Sequence, residues 1–555
     1  MQSSNARKSP PAATYDVDED MLLNAPGTQL FLSPPRILII GAGSRGSAYA
    51  KAALSSTNSV VAAIAEPIAF KRAKFGKRYV WGERKPKPEQ EFEDWKQWVK
   101  YERSRREREA AGEKVEPGID AVFVCVLDEM HEEVVCGVAE LKVHVLCEKP
   151  LATRLQSCVN IFNALNDASE DTTDATTDSD RKETVFGICH VLRYSPHNLM
   201  LRNLVLDKRV IGDVLSIEHV EPVGWWHFSH SYVRGNWRKE SKTAPSLLTK
   251  SCHDIDFLLW MLCSPSNQTQ SEPHLPSYVT STGTRNLFRK ERKPIAAGDA
   301  TNCLSCPHEK NCLYSAPKIY HGFNLRRGNT GWPVKIVNPE IEEIYNTKGE
   351  AAAKKQLFAN LREDYTADTP VADIEERPWF GRCVWESDND VCDDQSVTIT
   401  WEDDPISNDE NGRPILKGRG AKTAQFHMVA FTEKICQRRG RIYGTRGEIE
   451  YDSKTIKVHN FATRETKEHL PHHGTGGHGG GDRILVRQFL MAVDAVDGKR
   501  MSAAKAQRKF LGCDLEEAFR SHAMVFAAED ARNKRQVVDW KKWWAEEVET
   551  QLSKA

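Results

Sequence analysis

Three groups of residues in this sequence could do chemistry. Gly41-Ala42-Gly43-Ser44-Arg45-Gly46 is a G-x-G-x-x-G run. Glycines at those places allow a tight turn and let backbone approach a pyrophosphate seated on a helix N-terminus. Gly41, Gly43, Ser44, Arg45 and Gly46 are therefore candidate dinucleotide contacts. Glu66, 25 residues after Gly41, can accept hydrogen bonds from ribose hydroxyls and would repel a 2′-phosphate. NAD is expected over NADP, although Lys71 and Arg72 lie close by in sequence. The second group is Trp225, Trp226, His227, His230, Tyr232 and Trp237 with Arg234 and Asn236. Flat rings beside amide and guanidinium groups suit the face and hydroxyl edge of a sugar ring, so Trp226, His227 and Arg234 are candidate contacts. Packing at a strand end is the alternative for most of these rings. The third is Cys303-x-x-Cys306-x5-Cys312, a spacing that can present thiolates to a structural zinc if a fourth ligand joins. Cys383, Cys392 or His308 could supply it; free thiols fit the spacing equally well.

The elements that must position these residues follow from patterning. Arg36 to Ile40 and Val60 to Ala65 are apolar, β-branched runs of buried parallel strands, and the Ala-rich Ser47 to Leu54 between them is helix-forming. The G-x-G-x-x-G run thus sits between strand and helix, the context a dinucleotide fingerprint requires. Residues 82–118, crowded with Lys, Arg and Glu, are expected to be a charged helical insertion docked by Trp95, Trp98 and Tyr101. Strand–helix alternation resumes at Ile119 and continues through Val143 to Cys147. Residues 167–183 are acidic and Thr-rich and are expected to form a loop. From Thr184 the strands lengthen and alternate apolar with polar residues, which predicts an open, mostly antiparallel sheet with one wet face. The expected fold is α/β: a Rossmann domain over 35–183, then an α+β substrate domain over 184–539 carrying a Cys-rich loop at 300–320. Residues 1–34 are expected to be a disordered leader and 540–555 a C-terminal tail.

Val143 to Leu151 (VHVLCEKPL) makes the pattern specific. A G-x-G-x-x-G run followed roughly a hundred residues later by Glu148-Lys149-Pro150 resembles the glucose–fructose oxidoreductase / inositol dehydrogenase family, often written Gfo/Idh/MocA. The likeness extends to His131, to His253 within SLLTKSCHDIDFLLW, to GHGGGD at 477–482, and to the late helix around His522. CHVLRYSP and VGWWHFSHSYVRGNW look closest to the aminocyclitol-dehydrogenase-like branch. The resemblance implies hydride transfer between a secondary alcohol of a sugar, inositol or aminocyclitol and NAD. It implies that Lys149 holds the reacting hydroxyl and His253 takes its proton, a task suited to a pKa near neutrality. Leu127, His131 and Glu148 join the cofactor contacts, and Arg193 and Tyr194 are expected to face the substrate cleft. Many relatives carry Asp four residues before the histidine; here Thr249 stands there, which makes the adjacent Lys250 a candidate for a relay or substrate role. The same resemblance leaves an NAD-dependent glycosidase, or a silent dinucleotide-binding sensor, as alternatives.

Bulk properties narrow the field. A net charge of −1 over 555 residues supplies no basic field for nucleic acid or an anionic membrane. No apolar run reaches the ~18 residues of a transmembrane helix. Fourteen cysteines, several inside apolar runs and with no secretion signal, read as reduced thiols in a cytoplasmic protein. The expected partner is a small sugar or polyol, with homo-oligomerisation through the open sheet.

Overall fold

A computed structural model describes residues 28–170, 183–263, 272–471 and 477–553. Most of the leader, most of the acidic loop and the histidines at 472 and 473 lie outside the described residues. The first domain is built on six parallel strands in the order β3-β2-β1-β4-β5-β6. These are β1 (Arg36–Ile40), β2 (Val60–Ala65), β3 (Glu91–Phe92), β4 (Ala121–Val124), β5 (His144–Cys147) and β6 (Phe186–Ile188). Nearly every residue of β1, β2, β4 and β5 is buried, as an apolar sheet covered on both faces requires. Helices α1 (Ser44–Ser56), α2 (Ala69–Tyr79), α3 (Trp95–Ala110), α4 (His131–Ala139) and α5 (Leu155–Glu170) alternate with the strands.

Two expectations need correction here. Residues 82–118 are not an insertion: they supply β3, which pairs with β2, and α3, which packs against α4. Asp94 caps α3 by accepting from the Gln97 N–H, and Trp98, Val99, Glu102 and Arg105 are its buried residues. The charged pair Glu102–Arg105, at 2.8 Å, occupies part of that buried face. Residues 540–552 are no tail either. Trp540 and Trp543 are buried, Trp544 packs edge-on against Phe519, and the preceding residues add a strand to the second sheet.

That second sheet has nine strands in the order β16-β15-β14-β13-β7-β12-β9-β8-β17. They are β7 (Val214–Pro222), β8 (Tyr278–Thr284), β9 (Asp394–Trp401), β12 (Lys422–Val429), β13 (Arg439–Gly444), β14 (Gly447–Tyr451), β15 (Ile456–Asn460), β16 (Thr466–His469) and β17 (Val538–Asp539); a small hairpin, β10 (Ser407–Asn408) with β11 (Pro414–Ile415), lies apart. Every pairing in it is antiparallel except β7 with β12. Burial alternates along β9 and β12, as one packed face and one open face dictate. Between β8 and β9 the chain makes a long, mainly helical excursion with its own core, including Ile319, Tyr320, Leu357 and Leu361.

The domains are not sequential blocks. Helix Gly481–Asp497 returns to pack on α1, with Phe489 edge-on to Phe123 of β4. Helix Leu515–Lys534 packs against both α5 and β8, joining the two sheets.

Candidate active site

The glycine-rich turn has the shape a pyrophosphate needs. Gly41 has φ +100° and a Cβ there would lie 2.4 Å from the Cys125 carbonyl oxygen; a Cβ on Gly46 would lie 2.1 Å from the Gly41 oxygen. At Gly43 the same construction meets nothing within 4 Å, so the turn is tight beneath and open above. Gly43 caps α1 with no side-chain hydrogen bond, which leaves N–H groups at the start of a 13-residue helix for an anion. Glu66 closes the turn: its carboxylate accepts from the Ala42 N–H at 2.8 Å and the Ile68 N–H at 3.0 Å. Each oxygen still has a lone pair for a ribose hydroxyl. Arg72, the neighbour that could have welcomed a 2′-phosphate, donates to the Glu66 carbonyl at 2.6 Å and to Glu91 at 3.1 Å. Leu127, after β4, is 49% exposed and offers an apolar wall at the strand's carboxyl end. The residues present therefore fit a nicotinamide dinucleotide.

Arg45 and Glu148, both expected among the cofactor contacts, are bonded to each other beside the turn. Arg45 donates to Glu148 at 2.5 Å, to Tyr49 at 2.6 Å and to Asp482 at 2.7 Å. Burial alone would favour neutral Glu148, but Arg45 and the Tyr49 hydroxyl hold its carboxyl below the usual range. Its other oxygen accepts from the Lys149 N–H at 3.0 Å. The network thus ties α1, the end of β5 and helix Gly481–Asp497 into one rigid corner under the dinucleotide turn.

Lys149 projects from that corner. Two histidines grip the residues after it. His131 Nδ1–H donates to the Pro150 carbonyl at 2.7 Å, and the Leu151 N–H donates to His522 Nε2 at 2.9 Å. The lysine Nζ donates to the Thr249 carbonyl at 2.8 Å, so the usual acid position contributes a backbone oxygen here. His253 follows four residues later in the first turn of helix Cys252–Leu262, a helix buried along its whole length. His253 lies edge-on to His190, with ring centroids 5.8 Å apart, and His190 lies 5.1 Å from His522. Burial lowers the His190 pKa to about 3 and that of His522 to about 4, so both stay neutral near pH 7. His190 and His522 escaped the sequence reading as site residues; a buried histidine gives no local signal of its neighbours. The same holds for Asp128, which accepts from Trp237 Nε1 at 2.8 Å and is pushed up by burial.

Lys250 is placed beside the site as a fixed cation. Its Nζ lies 3.0 Å from Glu221 and 2.9 Å from the Cys436 sulfur. Burial opposes its charge, but Cys436 and Glu221 more than offset this and raise its pKa. A lysine held protonated cannot take a proton. His227 lies in reach of the same group, 3.7 Å from the Cys436 sulfur, and burial and then Lys250 keep it neutral. Trp332, from the excursion between β8 and β9, packs against both Trp226 and His227 with centroids 4.9 Å away.

Three expected substrate contacts are corrected. Arg193 is 2% exposed and forks onto Asp256 with two 2.8 Å hydrogen bonds while reaching Glu517 at 2.9 Å. Tyr194 is buried and donates to the Leu511 carbonyl at 3.0 Å. Arg234 is 1% exposed and donates to the Arg382 and Tyr314 carbonyls at 2.6 and 2.7 Å. Arg193 and Arg234 brace the second domain, and Tyr194 packs in a core shared with β1 and β4 of the first. Asp254 and Asp256, which follow His253 on its helix, are likewise engaged, Asp254 by His219 and Arg438. Among the described residues no group of three or more His, Cys, Asp or Glu side chains is placed to hold one metal ion. The expected zinc thus has no preformed site there, although Cys303, Cys306, Cys312 and Cys383 line a common cavity.

Residues 35–172 match the family described as "Oxidoreductase family, NAD-binding Rossmann fold", the GFO_IDH_MocA family. The match is confined to the first domain. The chain is 21% identical over 391 residues to oxidoreductase YteT of Bacillus subtilis (strain 168), across 68% of this chain and 73% of that protein. It is 26% identical over 144 residues to 2,7-anhydro-N-acetylneuraminate hydratase of Escherichia coli (strain K12), across 26% of this chain and 34% of that protein. The fold is shared with an inositol dehydrogenase homologue of Azotobacter vinelandii solved with NAD+, at 13% identity, TM-score 0.56, and coverage of 92% of this chain and 99% of that one. No helix among the described residues is long and apolar enough to cross a membrane.

Proposed function

We propose that this protein is a Gfo/Idh/MocA-type, NAD-dependent dehydrogenase acting on a secondary alcohol of a sugar, inositol or aminocyclitol. One observation carries the reading: the bond from Lys149 to the Thr249 carbonyl brings an ammonium from the end of β5 to the chain four residues before His253. Gly41, Gly43, Ser44, Gly46, Glu66 and Leu127 would hold the dinucleotide, which when bound supplies the hydride acceptor. Lys149 orients the substrate hydroxyl and stabilises the negative charge that builds on its oxygen, and His253 takes the departing proton. Trp226, His227 and Trp332 offer rings to the sugar face, with the Lys250 ammonium beside them for hydroxyl edges. Glu66 makes NAD the preferred dinucleotide by repelling a 2′-phosphate.

The test is a panel of polyols, sugars, anhydrosugars and glycosides with NAD, followed by NADH absorbance. Lys149→Met and His253→Asn should each lower turnover by roughly 10²–10⁴-fold while leaving NAD binding intact; full turnover in both variants refutes this site. A second reading is favoured by the hydratase among the relatives, because adding water involves no net oxidation. In it the dinucleotide is reduced and reoxidised within one cycle and the product, formed by elimination or glycoside cleavage, appears without accumulated NADH.

A further inference from the structure

Asp128 has no part in the proposed reaction, yet it is a buried acid beside the lysine that would hold the substrate. β4 and β5 are neighbours in the first sheet, with Val124 opposite Cys147. Asp128 and Lys149 therefore follow the carboxyl ends of adjacent strands, where ligands of such sheets bind. Asp128 opens the short turn Asp128–Met130 that leads into α4, and it is 8% exposed.

Its two oxygens are used unequally. Oδ2 accepts from Trp237 Nε1 at 2.8 Å. That bond arrives from the second domain: Trp237 stacks on Tyr232 at 5.7 Å, and Tyr232 lies 6.4 Å from His227. The carboxyl is thus fixed at the end of the ring stack that leads to the proposed sugar contacts. Oδ1 has no partner among the described residues and is not sealed from solvent. Burial raises the Asp128 pKa, and His131 and then Lys149 pull it back. Lys149 is near, but its Nζ donates to the Thr249 carbonyl and leaves two N–H groups unspent. The other acids around the site are taken: Glu148 by Arg45, Glu221 by Lys250, Asp254 by Arg438 and Asp256 by Arg193. The Thr249 hydroxyl is spent on the Pro245 carbonyl at 3.3 Å. A ligand that expels water from Oδ1 must replace the lost hydrogen bond, because an unsatisfied buried acceptor is costly.

We infer that Asp128 accepts a hydrogen bond from a substrate hydroxyl vicinal to the one Lys149 holds, so that the site selects vicinal diols. This rests on the proposed role of Lys149 and adds a substrate class to it. The ammonium takes the reacting hydroxyl, the carboxyl takes its neighbour, and the pair fixes which carbon is presented to the dinucleotide. An isolated secondary alcohol, or a ring deoxygenated at the neighbouring carbon, leaves Oδ1 without a donor.

The experiment compares wild type with Asp128→Asn, which keeps an oxygen for Trp237 but sets an amide where the acceptor was, and with Asp128→Ala. The probes are myo-inositol, D-glucose and 1,6-anhydro-D-glucose, each beside its monodeoxy analogues, titrated calorimetrically into NADH-loaded protein. Wild type should bind the tightest of the three parents roughly 10–100-fold better than one of its monodeoxy forms, the scale of a hydrogen bond to a charged group. Both variants should lose that factor for the parent and keep the affinity for the deoxy form, so the preference collapses to within about twofold. NAD affinity should stay within about twofold of wild type. A tenfold loss of NAD affinity would assign the carboxyl to the cofactor ribose and overturn the proposal. Variants that discriminate as wild type does sink this inference alone. If no parent polyol binds wild type, the proposed reaction fails and takes this inference with it. Should the variants not fold, the wild-type ratios decide: parents bound no better than any of their monodeoxy forms overturn it.

Discussion

Lowering the pH should destabilise this protein through histidines that the fold keeps neutral. His522 is fully buried with both ring nitrogens spent: Nδ1–H donates to the Ala518 carbonyl at 2.7 Å and Nε2 accepts from the Leu151 N–H at 2.9 Å. A proton on Nε2 would confront that N–H. Burial is the largest cause of a pKa lowered from 6.5 to about 4; the hydrogen bond to the Ala518 carbonyl and the Asp256 carboxylate oppose it, and the Lys149 ammonium acts in the same sense as burial. The folded pKa lies below the unfolded one, so stability is complete above about pH 6.5 and is lost as pH falls toward the folded value. Between pH 7.5 and pH 5 the unfolded histidine becomes almost wholly protonated while the folded one stays about nine-tenths neutral, a loss of ~2 kcal/mol. His190 and His230, each held near 3 chiefly by burial, add similar amounts, so the ceiling for the three is ~6 kcal/mol. His190 faces Asp256, His522, Arg193 and Lys149, and His230 faces Arg234. Carboxylates raised by burial, such as Asp128 and Asp393, gain stability over part of the same range, so the decisive comparison is with His522→Gln. Urea unfolding of both proteins at pH 7.5 and pH 5 should show wild type losing ~2 kcal/mol more than the variant. Equal losses, or a wild type indifferent to pH, would refute the burial argument.

Glu66→Ala removes two backbone anchors of the dinucleotide turn along with the ribose acceptor, and hydrogen bonds to a charged group are worth ~1.5–3 kcal/mol. Titration calorimetry should therefore show NAD bound roughly 10–100-fold more weakly and NADP gaining relative to it; an unchanged preference would remove Glu66 from the cofactor site. Arg193→Met strands Asp256, which burial would protonate but for Arg193, and should cost ~3–5 kcal/mol in urea unfolding. Adding Asp256→Asn should restore part of that loss, and no restoration would mean the pair is not the unit that matters. Lys250→Met should lower substrate affinity without moving the pH dependence of turnover, because a lysine kept protonated does not titrate there, whereas His253→Asn should abolish the acid limb. A shifted acid limb in the lysine variant would put Lys250 back in the proton relay.

The parts of this molecule that were legible in its sequence are those whose partners are local. The turn from Gly41 to Gly46, the acid at the end of β2 and Glu148-Lys149-Pro150 after β5 each sit at a strand's carboxyl end, where a buried run stops and function begins. Arginines defeat the same reading. Arg193 and Arg234 sit in site-like company, but their partners lie far along the chain at Asp256, Glu517, Tyr314 and Arg382, and nothing local separates a buried ion pair from a ligand contact. Residues 82–118 misled for a related reason: Glu102 and Arg105 neutralise each other on the helix's inner face, so the apolar stripe that marks a packed helix is interrupted by charges. Trp332 carries no signal at all, since only the excursion's fold brings it to Trp226. The late helix shows what such long connections do for the site. Asp482 reaches Arg45 across 437 positions, and Arg45 reaches Glu148, whose other oxygen accepts the Lys149 N–H. The dinucleotide turn, the lysine and the second half of the chain are therefore held by one charge network, so a change at Asp482 should register at Lys149 without touching either ligand.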